Sequence, residues 1–553
     1  MSRKIKSSIV IIATAIIALI TIVLSNNTTS IYTNFNSLYL SDKKYEALIA
    51  SLNKSETPLS TDIYMNDQKL IYDSDTNTFY YSLIQDDSSS YTPYIEIKND
   101  ADEDTSLNIG LYGEPISDEL IASNQSITLI LYDNNSVSVS YLKCTTLPIM
   151  NISIDDATVQ ELGLDNTYDL VSYTGTTIYL YDNQADFDGA SRTIITDAKV
   201  RRHGQSTVGY PLKGYRISLL ADKNNLDGDN NKEDLLGLRE DDDWILSASY
   251  RDYEKVRNVF SMNLWYESFT KENEWNVNNS TQYKFVELFF NGHYHGLYSL
   301  CYRIDSKELS TTEGESIFKK KDWTLSEYDT ELTYQEYADG SGGVYTLPGY
   351  SLKYGDVEDY NNLLQLYVNM NYSTDCNVVR MTSDVTNSID LWLFYKLTQA
   401  VDNVYIGNAK NMYVTVKSSD TGIAGQKLLF TPWDMDQTWR YTSEATVGQY
   451  SNPFYDLPIE WGTTYRLLSM GDETIKDEIK ARYATLRSDA WSEDAILTLL
   501  EEYQNEIYNS GAFARTQEAF PEGSYNDASV GLTEFTDYVL KRLAAMDEYI
   551  NAL

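Results

Sequence analysis

Five oxygen-bearing side chains gather at the ends of two neighbouring apolar runs. "AVDNVYIGNAKNMYV" (400–414) carries Asp402, Asn408 and Asn411, and "KLLFTPWDMDQTW" (427–439) places Asp434 and Asp436 just past the run at 428–430. Carboxylate and amide oxygens are the donors that hard divalent cations take. Upstream, "KVRRHGQSTVGYPLKGYRISLLADK" (199–223) sets a turn containing Gly204, Ser206, Thr207 and Gly209 before a strand-like run with Lys213 and Arg216. Backbone N–H groups of such a turn can approach an anion, and the two cations can neutralise it. This is phosphate-binding logic without a Walker sequence, although Lys and Arg on strands are commonly solvated edge residues.

Other reactive residues read more plainly. "VELFFNGHYHGLYSL" (286–300) predicts a hairpin turning at Asn291-Gly292. His293 and His295 alternate onto one face there, but no third ligand is evident, so both are taken as structural. Asp241, Asp242 and Asp243 read as a solvated turn. "DKNNLDGDNNKED" lacks a calcium loop because Lys223 stands where its first Asp belongs. Three cysteines, Cys144, Cys301 and Cys376, supply no disulfide framework and read as small apolar residues.

The elements that position these groups change along the chain. At 553 residues, two or three domains are expected, and 42% apolar residues with 47 Tyr can fill large cores. The net charge of −39 repels phosphate backbones and excludes non-specific nucleic-acid binding, favouring basic partners instead. Residues 9–24 form an apolar run behind Arg3, Lys4 and Lys6, so 1–25 read as a membrane anchor or a signal segment. The expected location is the cell membrane, single-pass with the bulk of the chain outside, or alternatively secretion. Residues 26–60 read as a polar stalk. Residues 61–145, with short Tyr- and Ile-rich runs between Asp/Asn/Ser turns, read as an all-β, sandwich-like module. From 146 onward strand-like and helix-like runs alternate, with helices expected at 254–269 and 388–401. The tail repeats Leu532, Phe535, Val539, Leu543, Met546 and Ile550 at helical spacing. The fold class is α+β.

Six segments together resemble the spore coat protein H (CotH) kinase family over about residues 145–553. They are "LPIMNISI", "RRHGQSTVGYPLKGYRISL", "LLGLREDDDWILSASYRDYEKVRN", "VELFFNGHYHGLYSL", "VDNVYIGNAKNMYV" and "PWDMDQTW". The resemblance implies a two-lobed domain similar to atypical protein kinases, using ATP with Mg or Mn to phosphorylate Ser (or Thr) on surface or spore-coat-type proteins. It also implies roles: Asp402 orients the acceptor hydroxyl and takes its proton, and Asp434 is the main metal ligand. Asn411 or Asn408 is the metal amide, and Asp436 is a further ligand. Lys213, Arg216, Ser206 and Thr207 would hold nucleotide phosphates. A Ser-rich, basic substrate protein would suit the acidic chain. Two departures stand out: the Asp402–Asn411 interval exceeds the usual kinase loop, and Tyr302 precedes Arg303 where Glu is common. An inactive surface scaffold or adhesion protein, and a secreted carbohydrate-active enzyme with paired carboxylates, are the competing readings.

Overall fold

The computed structural model describes residues 35–84, 91–97, 107–183, 193–204, 207–323, 335–337, 344–347, 349–405, 407–439 and 452–553. The apolar run at 9–24, together with Ser206, lies outside them. Among the described residues no helix is long and apolar enough to cross a membrane.

The N-terminal module sets a three-stranded sheet (Gln68–Lys69, Ile63–Met65, Ile95–Ile97) against a six-stranded one over a core of Ile63, Met65, Phe79, Tyr81, Leu129 and Leu131. Strand alternation turns Ile130 and Val137 to the other face of the larger sheet, where they too are apolar. The segment read from its composition as a stalk covers that face: helix Asp42–Ser51 packs Tyr45, Leu48 and Ile49 there, and strand Asn53–Ser55 pairs with residues 136–138. The module is therefore neither purely β nor preceded by a free stalk from residue 35 onward.

A seven-stranded closed barrel follows, built from β1 (Ile149–Ser153), β2 (Thr174–Tyr181), β3 (Thr193–His203), β4 (Gly214–Leu220), β5 (Asp243–Ser247), β6 (Tyr283–Phe290) and β7 (His293–Tyr302). Every neighbouring pair is antiparallel except β1 with β6, the parallel pair that closes the ring. Alternate residues such as Ile152, Leu180, Val200, Ile217, Leu246, Leu288 and Leu300 fill its interior. The intervening residues point outward, and register aligns Arg201, Arg216, Ile245 and Cys301 in one row across β3, β4, β5 and β7.

Beyond the barrel, a four-stranded antiparallel sheet runs in the order β9 (Tyr350–Tyr354), β8 (Ser316–Lys320), β10 (Met412–Ile423), β11 (Gln426–Pro432). Helices α1 (Arg257–Phe269), α2 (Val385–Thr398), α3 (Ala512–Ala519) and α4 (Thr533–Ala552) accompany it. One core joins Phe260, Trp265 and Phe269 of α1 to Phe318, Phe394, Val414, Phe430, Leu543 and Ile550. The same core takes in Tyr283, Phe285 and Leu297 from the barrel wall, so α1 is the wedge between the barrel and the helical part. The helical tail lies where its apolar spacing put it.

Candidate functional site

The hairpin of β10 and β11 brings the five oxygen-bearing residues into question. Met412 pairs with Pro432, and the Trp433 N–H donates to the Asn411 carbonyl at 3.0 Å, so Asn411 and Asp434 leave the same end of the pair. Both residues have left-handed backbone, φ 52° and 58°, a conformation Asn and Asp tolerate better than most. That turn ends the strand at Pro432, so Asp436 comes to the site through a loop and not by strand alternation.

Asp402 follows α2, whose last residues pass through Gln399 in the left-handed region. Its carboxylate accepts from Asn411 Nδ2 at 3.0 Å and pairs with Lys410 at 2.7 Å. An amide placed this way turns its Oδ1 away from the carboxylate and leaves it for another partner. Asn408 sits elsewhere, donating to the Trp323 carbonyl at 3.3 Å, so the structure brings Asn411, not Asn408, to Asp402. Asn403, which sequence reasoning passed over, is fully buried and ties the two halves together: its Nδ2 donates to the carbonyls of Asn411 (3.1 Å) and Trp433 (2.9 Å).

The loop carrying Asp434 and Asp436 is clamped by the start of α1. Arg257 Nε donates to the carbonyls of Thr438 and Trp439, both at 3.1 Å, and its guanidinium pairs with Asp252 and with Glu254 (2.5 Å). The neighbouring Asn258 accepts the Met435 N–H at 2.9 Å. Trp439 Nε1 donates to Ser261 Oγ at 2.9 Å. The Asp434 side chain reaches solvent and Asp436 is half-buried, yet the protein atoms packed around Asp434 desolvate its carboxyl and raise it; Lys319 opposes that rise and Asp402 adds to it. The Asp436 carboxyl is driven well above its ordinary range by desolvation first, then by Asp434, Asp402 and Asp252. Carboxylates crowded in this way are relieved by a cation.

Facing them is a wall of cations. Lys319 of β8 lies 4.8 Å from the Trp433 ring and 5.3 Å from the Tyr413 ring. Burial pulls its pKa down to about 8, with Asp434 the attractive neighbour and Arg303 and Arg216 the repulsive ones. Lys353, though its side chain reaches solvent, is drawn down to about 8 by partial desolvation and then by Lys319. His203 is half-buried; desolvation first, and then the charges of Lys319, Arg216, Arg201 and Arg303, lower it to about 4, so it is neutral near pH 7. Arg201 and Arg216 are direct cross-strand partners, an arrangement that like charges disfavour. The Nε of each is enclosed and makes no hydrogen bond, and among the described residues neither guanidinium has a carboxylate partner. Two guanidiniums so placed attract an anion.

Several expectations change. Lys213 is not an edge cation: it is 6% exposed, and its ammonium holds its own turn by donating to the carbonyls of Val208 (3.1 Å) and Tyr210 (2.9 Å). Thr207 begins the short 3-10 turn Thr207–Gly209; Gly204 has φ +119°, and a Cβ there would collide with Thr207 Oγ1, so no side chain fits. Of the four proposed phosphate contacts, Arg216 alone is shown among the cations around Lys319. Asp241 is not solvated but wholly buried, paired with Arg239 and with Lys307 (2.5 Å), while Asp243 pairs with Arg303 at 2.5 Å. That last contact gives Arg303 a carboxylate despite Tyr302 standing where Glu was expected. Lys319 and Arg201 were missed; the parity of "SIFKK" and "KVRRH" on strands was the available signal.

The family model described as CotH kinase protein matches residues 200–546 of the 553. The chain belongs to the CotH kinase family. No curated protein matches it. The CotH kinase match spans both the cation wall, from Arg201 to Lys353, and the carboxylates Asp402, Asp434 and Asp436.

Proposed function

We propose that this CotH kinase family member is an atypical, metal-dependent protein kinase. It transfers the γ-phosphate of ATP to Ser (or Thr) of basic, Ser-rich surface or coat-type proteins outside the cytoplasm, with residues 9–24 as its anchor or export signal. The observation that carries this reading is the meeting, around Lys319, of crowded carboxylates with guanidiniums, those of Arg201 and Arg216, that have no carboxylate partner among the described residues. Phosphoryl transfer asks little covalent chemistry of a protein and mainly needs its phosphates, metal and acceptor positioned. Asp434 and Asp436, with the Oδ1 of Asn411, have the donor chemistry to hold magnesium or manganese. Such an ion, when bound, neutralises phosphate charge. Arg201, Arg216 and Lys319 receive the phosphate oxygens, and Asp402 accepts the hydroxyl proton at its carboxylate while Asn411 and Lys410 fix its orientation. The barrel and the helical part then correspond to the two lobes of a kinase. A carbohydrate-active enzyme would leave Arg201 and Arg216 without a role.

The direct test incubates the purified chain with labelled ATP, Mg or Mn, and a basic Ser-rich protein. Metal-dependent labelling is expected, and calorimetry showing no metal-nucleotide binding would overturn the reading. A pH series adds a second check. Phosphate is attracted by the charged ammonium, and desolvation has lowered the pKa values of Lys319 and Lys353 to about 8. Nucleotide affinity should therefore be full below pH 8 and fall above it, by up to about tenfold per pH unit for each lysine. An ordinary lysine would not titrate until above pH 10. Lys319→Arg, which does not deprotonate, should leave only the share of Lys353. Affinity flat from pH 7 to 9.5 would remove both lysines from the site.

A further inference from the structure

We propose that His293, Asp73 and Asp75 form a binding site for a divalent transition cation of the zinc class, which ties the N-terminal module to the barrel. The hairpin expected at Asn291-Gly292 forms as β6 and β7, but a register shift between Leu288 and Phe289 sends its two histidines apart. His295 enters the barrel against Tyr215 (3.1 Å) and Phe290, where burial lowers its pKa to about 3. His293 instead faces the N-terminal module, where the third ligand missing from the local sequence is supplied from some 220 residues earlier.

The contact is close and its geometry is fixed. Gly292 has φ +85°, and a Cβ there would lie 2.6 Å from the Tyr72 carbonyl, so the turn rests directly on strand Ile71–Asp73. Asp73 is buried and oriented by the N–H groups of Asp75 (2.9 Å) and Tyr294 (3.3 Å). His293 Nδ1 lies 3.5 Å from Asp73 Oδ1 and 3.1 Å from Asp75 Oδ2, and the three ligand atoms all fall within 4.8 Å of one another.

The deciding observation is the imidazole nitrogen itself. Nδ1 is fully enclosed, yet it makes no hydrogen bond to either carboxylate. Without a hydrogen, its lone pair would oppose two sets of oxygen lone pairs; with one, the N–H is aimed at neither. A cation between them satisfies all three. Metal bonds of about 2.0–2.2 Å in tetrahedral array put neighbouring ligand atoms about 3.3–3.6 Å apart, close to the 3.5 and 3.1 Å that separate Nδ1 from the two carboxylates here. One imidazole among the ligands favours zinc-class ions over magnesium or calcium. Asp75, with 54% of its side chain exposed, leaves the remaining position to water.

The test keeps the other acidic cluster out of the measurement. The full chain carrying Asp434→Asn and Asp436→Asn, stripped with chelator, is titrated with zinc sulfate by calorimetry, and its thermal midpoint is followed. One equivalent of zinc should bind and raise the midpoint. Adding His293→Gln, or Asp75→Asn at the exposed ligand, should weaken binding by at least about 10²-fold, since even outer-shell losses reach that range. Both should also abolish the zinc-dependent rise. The proposal is overturned if the chain takes up no zinc, or if both variants bind zinc like their parent. It is equally overturned if His293→Gln shifts the midpoint identically with and without zinc, which would make the contact a plain ion pair.

Discussion

Asp434→Asn should abolish metal-dependent nucleotide binding, whereas Asp402→Asn should bind metal and nucleotide normally and lose turnover. The difference follows from placement. Asp434 acts electrostatically on both Asp436 and Lys319, so in the proposed site its charge serves the metal and, through Lys319, the phosphates. Its left-handed backbone suits Asn equally well, which keeps the substitution from acting through the fold. Asp402 is held by Lys410 and Asn411; in the proposed reaction it is the base toward the acceptor hydroxyl. Losing a positioned base costs roughly 10²-fold or more in kcat. Calorimetry with Mg-nucleotide separates the two variants, and single-turnover labelling measures the second. Equal nucleotide affinity in both variants and the parent would sink the assignment of Asp434. A kcat for Asp402→Asn within a fewfold of the parent would sink that of Asp402.

The largest effect on stability is expected at Arg515 of α3. Its guanidinium is buried against Glu287 of β6 (Nε to Oε1, 2.9 Å), and it also donates to Asn124 Oδ1 at 2.7 Å and the Ser510 carbonyl at 3.0 Å. Arg515→Ala leaves the Glu287 carboxylate fully buried with, among the described residues, only the Tyr294 hydroxyl (3.1 Å) as a side-chain donor. Breaking such a pair from one side costs about 3–5 kcal/mol. The paired change Glu287→Leu with Arg515→Met removes both charges together and should recover most of that loss, because the desolvation penalty goes with them. Thermal melting of the three proteins decides it. An unchanged midpoint in Arg515→Ala would show the pair to be energetically idle, and a double variant no better than the single would show that packing, not charge, sets the cost.

What could be read in the sequence was local. The Asn291-Gly292 turn, the apolar spacing of the tail and the paired ends of 400–414 and 427–439 each depend on a few adjacent residues, and each is present in the fold. Whether a cation stands free is not a local property. Lys213 and Arg216 looked equivalent in one short stretch, yet Lys213 precedes its strand and folds back on its own turn, while Arg216 lies on the outer row opposite Arg201. The two histidines illustrate the same limit, because a single register shift reverses which face the second one takes. Closure of the barrel rests on a parallel pairing of β1 with β6 across about 140 residues, and no turn signal marks it. Lys319 drew no notice because its partners, Trp433 and Asp434, lie over a hundred residues away. Asp241, in a run of three aspartates that reads as solvated, is buried because Arg239 and Lys307 meet it from two sides.

The contacts of Asn124 carry a consequence for how the chain is made. Asn124 reaches Arg515 and Glu518, the latter at 2.9 Å across 394 residues of sequence, and Lys143 meets the same Glu518 at 3.3 Å. Synthesis at about 5–20 residues per second separates the appearance of these partners by roughly 20–80 s. Throughout that interval the side chains of Asn124 and Lys143 have no Arg515 or Glu518 to meet. The N-terminal module is therefore completed by a helix made long after it, and an elongating chain must keep that surface from other partners for the whole of that time.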